Sequence, residues 1–131
     1  MKPFKTVSAG RGRTRVYAEI YEVGSDLLAI LGGEGLHIGA ASIAEATPGK
    51  TSDVATISAR RHREAELTEY FSKAVCSATG RRTVAIAGVH LDRITKAEIE
   101  TIRQNVRQLV RQLDFDEPHR GRPDPRPPGS E

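Results

Sequence analysis

Three of the chain's four histidines sit in short patterns able to do chemistry: Gly35-Leu36-His37-Ile38-Gly39, Arg60-Arg61-His62-Arg63-Glu64 and Gly88-Val89-His90-Leu91-Asp92. Neutral imidazole is a common metal ligand, and a protonated ring or an arginine donates to phosphate. Asp92, two residues after His90, can orient an imidazole or ligate a hard cation. Arg60, Arg61 and Arg63 bring positive charge to an expected helix start, where free backbone N–H groups also favour anions. Gly32, Gly33 and Gly35 let backbone approach a ligand closely. Together these parts suit a phosphorylated ligand. Each has a plainer reading: a histidine at a strand end is usually structural, the arginine run an ordinary solvated helix start, the glycines a turn. The glycine cluster lacks the Lys-Ser/Thr ending of a P-loop, and no CxxC or HExxH pattern occurs. Ser42 and Ser58 fall in strands, without a nucleophile-elbow sequence. No catalytic residue is assigned.

The elements that must position these residues are legible from periodicity. Residues 13–23 alternate, with Val16, Ala18 and Ile20 on one side and Tyr17, Glu19 and Tyr21 on the other, the mark of a half-exposed strand. Gly24-Ser25-Asp26 is turn chemistry, and Leu27–Leu31 completes a hairpin. His37–Ala44 reads as a third strand of small residues, suited to close approach by another backbone or a ligand. Asp53–Ser58 is a fourth strand, and an additional one is expected near Phe4–Ser8. From Arg63 the period changes to helical, and Gly80 closes that helix. Thr83–Ala87 is a short buried strand. In the last helix Thr95 and Glu98 form a capping-box pattern, with Ile94 and Ile99 as a hydrophobic staple. Arg103, Arg107 and Arg111 share one of its faces, a solvated surface or an anion or partner surface.

The order β-β-β-β-α-β-α predicts an α+β fold, with both helices on one face of a mainly antiparallel sheet. The third and fourth strands pair antiparallel, so His37 falls beside His62. The helix over 63–79 is about 25 Å long at 1.5 Å per residue, enough to return the chain so that the next strand runs parallel to the fourth. His90 then reaches the same sheet edge as His37 and His62.

Composition narrows the class. A chain of 131 residues allows one domain. Five of its seven prolines lie in residues 114–131, a segment read as a disordered Pro-rich tail after a folded domain at 1–113. The net charge of +3 divides into +5 for the body and −2 for the tail. This is too mild for a typical nucleic-acid binder. Arg120-Gly121-Arg122-Pro123 matches a minor-groove motif, but acidic neighbours oppose phosphate there. A single cysteine, Cys76, permits no internal disulfide. It reads as a buried, inert thiol. No apolar run is long enough to span a membrane, and no signal peptide is evident. A cytoplasmic protein is expected.

The three histidine patterns, in this order and spacing and followed by a capped helix, resemble the prenylated-flavin chaperone family, whose namesake is a small accessory protein of gallate decarboxylase. The resemblance spans roughly residues 13–113. It implies a fold similar to the proteasome-assembly-chaperone-3 type, which commonly dimerises. It implies a non-enzymatic protein that binds prenylated FMN or FMN. The cargo would pass from a flavin prenyltransferase to a prenylated-FMN-dependent decarboxylase. Carried over by position, Gly35, His37, Ile38, Gly39, Arg60, His62, His90 and Asp92 become the cofactor-binding candidates. His37, His62 and His90 are the candidate ligands of a divalent metal. Two other readings stand beside it: a protein-assembly chaperone of the same fold without a small ligand, and a small metal-dependent hydrolase.

Overall fold

The structure, a computed structural model, describes residues 2–47, 53–59, 63–89 and 91–113. Six strands form one sheet: β1 (Lys5–Ala9), β2 (Val16–Val23), β3 (Asp26–Gly33), β4 (Ala40–Glu45), β5 (Asp53–Ser58) and β6 (Thr83–Ala87). Two helices, α1 (Arg63–Thr79) and α2 (Lys96–Gln112), follow β5 and β6. The spatial order is β1-β2-β3-β6-β4-β5, with β3 and β6 the parallel pair and the remaining pairs antiparallel. The expected α+β class is therefore observed. β5 and β6 run the same way, as expected, but β4 stands between them and β6 finds its second neighbour in β3.

Alternation along the strands builds the core. Val16, Ala18 and Ile20 of β2 share a face with Leu27, Ala29 and Leu31 of β3 and with Ala85 and Ala87 of β6, and all are buried. Phe71 and Val75 from α1, with Ile102, Val106 and Leu109 from α2, close over that face. Each such side chain contributes about 1.5–3 kcal/mol on burial. The small residues of β4 have a packing reason: Ala40, Ser42 and Ala44 lie under α1, which comes close to the strand. Ser42 Oγ is 2.7 Å from the hydroxyls of both Thr56 and Thr68, so the seam is polar and internally satisfied. Cys76 is buried in α1.

Two boundaries differ from the sequence reading. Residues 12–14 form a 3-10 turn, because Gly10 and Gly12 adopt positive φ before β2 begins. Gly32 and Gly33 extend β3 as ladder residues, and the Tyr17 ring lies over Gly32, occupying the space a side chain would fill. The capping box at Thr95 and Glu98 is present in full. No helix among the described residues is long and apolar enough to cross a membrane.

Among the described residues no helix lies over the other face of the sheet. Ile30 and Leu28 of β3, Ile86 and Val84 of β6, and Ile43 of β4 continue in register across it to Ile57 of β5, which is 78% exposed. Tyr17 and Tyr21 belong to this open side, away from the helix-covered core, and the Tyr21 hydroxyl donates to Glu19.

Candidate functional site

β4 begins where β5 and β6 end. Ala40 is the register partner of both Ser58 and Ala87. The segment leading into β4 is stitched between the two outgoing chains: Gly39 N–H donates to Ala87 O at 2.8 Å, Ala59 N–H to Gly39 O at 2.8 Å, and His37 N–H to Gly88 O at 3.3 Å. Gly88 makes this possible, since a Cβ there would overlap the His37 backbone carbonyl. Residues 37–39 are thus an irregular lead-in, not the first residues of the strand as the sequence reading had them. Leu36 and Ile38 consequently turn outward, 52% and 65% exposed.

A cavity of about 750 Å³ opens at this junction, within the range of small-molecule and cofactor sites. The lead-in supplies His37, Ile38 and Gly39; Ala59 stands at the exit of β5. The N-terminal end of α1 supplies Glu64, Glu66 and Leu67. The connection from β6 supplies Val89, Leu91 and Ile94, and α2 supplies Ile99, Ile102 and Arg103. Most of the wall is aliphatic. His37 Nδ1 is 2.9 Å from Gly35 O, a carbonyl that can only accept, so this nitrogen carries the hydrogen. Its Nε2 faces Glu64 at 3.9 Å. Arg103 is held by Glu66 at 2.8 Å and by Glu100 at 3.5 Å, and the Glu66 hydrogen bond is the main reason its pKa is raised.

A clamp fixes the far wall. Arg13, in the 3-10 turn, donates to both carboxylate oxygens of Glu98, at 2.7 and 3.1 Å, and to the backbone carbonyl of Asp92 at 2.7 Å. The same carboxylate accepts from Thr95 N–H. These bonds tie β2's entry to the β6–α2 connection, where Arg93 adopts φ +53°. A left-handed non-glycine residue costs of order 1–3 kcal/mol and persists where its surroundings over-determine it.

Of the sequence candidates, His37, Ile38 and Gly39 come together on the cavity wall. Gly35 stands behind them as a positive-φ turn residue whose carbonyl orients the His37 ring. Asp92 is exposed and, among the described residues, is not part of the wall; its backbone serves the Arg13 clamp. Arg60, His62 and His90 lie outside the described residues, as do Arg61 and the 114–131 tail. The described neighbours of these histidine patterns, Ala59 and Glu64 on one side and Val89 and Leu91 on the other, all line the cavity. Among the described residues no three His, Cys, Asp or Glu side chains group as metal ligands would.

Sequence reasoning missed Glu64, Glu66, Leu67, Gly88 and the α2 wall as site residues. Ile99 and Ile102 carry the same periodic signal as core positions, so nothing local marks them as lining a void. Gly88 alone had a signal, its place at the end of a buried strand. On the α2 basic face, Arg107 lies 5.9 Å over the Tyr70 ring and Arg111 donates to Gln108.

An α+β fold with two helices packed against one mainly antiparallel sheet is the class this architecture defines. It is similar to a chain in the crystal structure of a novel chaperone complex for yeast 20S proteasome assembly, with TM-score 0.54 and 12% identity over 88% of this chain and 96% of that one. At that identity the likeness is one of fold. The prenylated flavin chaperone LpdD-like domain matches residues 10–115, and the chain belongs to that family. No curated protein matches the chain.

Proposed function

We propose that this protein is a non-catalytic, cytoplasmic carrier that binds prenylated FMN in the cavity beside His37. It passes the cofactor from a flavin prenyltransferase to a prenylated-FMN-dependent decarboxylase. The observation that carries this reading is the cavity at the joined ends of β4, β5 and β6, in a chain of a prenylated flavin chaperone family. A carrier needs a shielded pocket and a few polar contacts, and its cargo must leave, so a half-open aliphatic cavity with sparse polar groups suits the task. In this reading His37 and Gly39 meet the ligand at the cavity rim. Arg60, His62 and His90 supply the phosphate grip, directly or through a divalent cation held by His37, His62 and His90.

The test is co-expression with a flavin prenyltransferase, followed by an absorbance spectrum and native mass spectrometry, with and without added divalent metal. Copurifying prenylated FMN is the expected result. A colourless protein under both conditions overturns the reading.

The open sheet face favours a second reading, a chaperone of protein assembly without a small ligand, because contiguous exposed apolar surface marks interaction sites. Replacing His37 and His90 together then leaves partner capture unchanged. In the carrier reading the same face joins two copies of the chain. Light scattering is expected to give a dimer for the wild type and a monomer for Ile57→Glu.

A further inference from the structure

The cavity is uneven in a way that bears on which flavin it takes, and the inference rests on the carrier reading above. Leu67, Leu91, Ile94, Ile99 and Ile102 present aliphatic carbon from three separate elements. The charged groups that join them do not favour an anion. Glu64 and Glu66, from the first turn of α1, are both on the wall, and Arg103 is already engaged by Glu66 and Glu100. The N-terminus of α2 carries its own carboxylate, because Glu98 accepts from Thr95 N–H while its N–H donates to Thr95 Oγ1 in the capping box. A phosphate is thus disfavoured inside the cavity among the described groups, whereas a hydrocarbon group gains there.

We infer that the Leu67–Leu91–Ile94–Ile99 wall is a specificity subsite for the isoprenoid-derived carbons of the ligand, and that it discriminates prenylated FMN from unmodified FMN. The carbon-rich end points between α1 and α2, and the phosphate end stays outside this wall, away from Glu64 and Glu66. Each methylene moved from water into such a wall changes affinity about fourfold. The added isoprenoid unit is the only part of the cofactor that FMN lacks, so the wall reads that difference directly. Binding of the unmodified precursor leaves the aliphatic surface wet, and a carrier built this way releases the precursor and retains the product of prenylation.

The experiment is an anaerobic titration of the apo protein with FMN and with prenylated FMN, read by calorimetry. Prenylated FMN is expected to bind at least tenfold more tightly than FMN. In Ile99→Asn, checked for a native circular dichroism spectrum, the ratio falls toward one while FMN affinity changes less than threefold. Should that variant not fold, Leu67→Asn on the opposite wall gives the same readout, and the wild-type ratio is decisive without either. Equal affinity for the two flavins overturns the subsite and leaves the carrier reading standing. Binding of neither flavin overturns the carrier reading and the subsite with it.

Discussion

The two ends of the sheet are built on opposite plans. Where β3 and β6 start and β4 ends, charges are tied off. Arg82 bridges Asp26 at 3.3 Å and Glu45 at 3.1 Å, and these carboxylates, Glu45 first, raise its pKa. The Arg81 side chain is only 4% exposed; it donates to Ser25 O at 2.8 Å and to Glu22 at 3.1 Å and lies 6.0 Å over the Phe4 ring. Gly24 and Gly80 adopt positive φ at the turns there. At the other end the same strands finish in irregular backbone, exposed aliphatic side chains and a 750 Å³ cavity. Paired charges are gathered at one pole and open apolar surface at the other.

Substitutions at the two poles sharpen or break this contrast. The largest effect is expected from Gly88→Ala, which drives a methyl group into the His37 carbonyl; we expect about 3 kcal/mol of destabilisation in urea denaturation, together with loss of flavin binding. Arg81→Ala, at the closed pole, is expected to cost about 2 kcal/mol while leaving flavin affinity unchanged. If affinity falls in parallel, the poles are not separable. Thr95→Ala removes the α2 cap and costs about 1 kcal/mol.

A smaller effect follows from Glu98. Its carboxyl is held below the ordinary carboxylate range, first by the Arg13 hydrogen bond and then by the Thr95 N–H. A carboxylate with a depressed folded-state pKa stabilises the fold above its unfolded value and loses that contribution as pH falls through the folded value. The melting temperatures of wild type and Glu98→Gln are therefore expected to differ at pH 7 and to converge as the pH is lowered below about 4.5, the ordinary value. Arg82→Ala is expected to leave the denaturation midpoint unmoved, since exposed ion pairs contribute little.

What the sequence made legible were features written in local chemistry. The α2 cap was readable because Thr95 and Glu98 stand at the fixed spacing of a reciprocal hydrogen bond. The β2–β3 hairpin was readable from alternation around Gly24. The meeting of the β4, β5 and β6 ends followed from chain direction alone. The insertion of β6 beside β3 was not readable, because a buried strand such as Thr83–Ala87 carries no signal for which neighbour it takes. Half of the cavity was hidden for a related reason: Leu67, Ile99 and Ile102 obey the same helical period whether they meet other side chains or a void. Glu64 and Glu66 read as ordinary first-turn acids, and only the approach of α1 to the lead-in segment turns them to the site.

The sheet order has a consequence in time. β1 to β3 form one local meander, and β4, β5 and α1 form a second, but among the described residues the sheet joins the two halves only through β6, the last of the described strands to leave the ribosome. Until residues 83–87 have emerged, β3 and β4 both carry an unpaired edge, the kind of template on which nascent chains mispair. The parallel β3–β6 pairing closes a long loop and is a late, entropically costly step. Gly88 follows β6 directly, so the cavity acquires its remaining wall only after the sheet has become whole. A chain that stalls before this strand therefore lacks the cavity beside His37, and the cavity marks the completion of the fold.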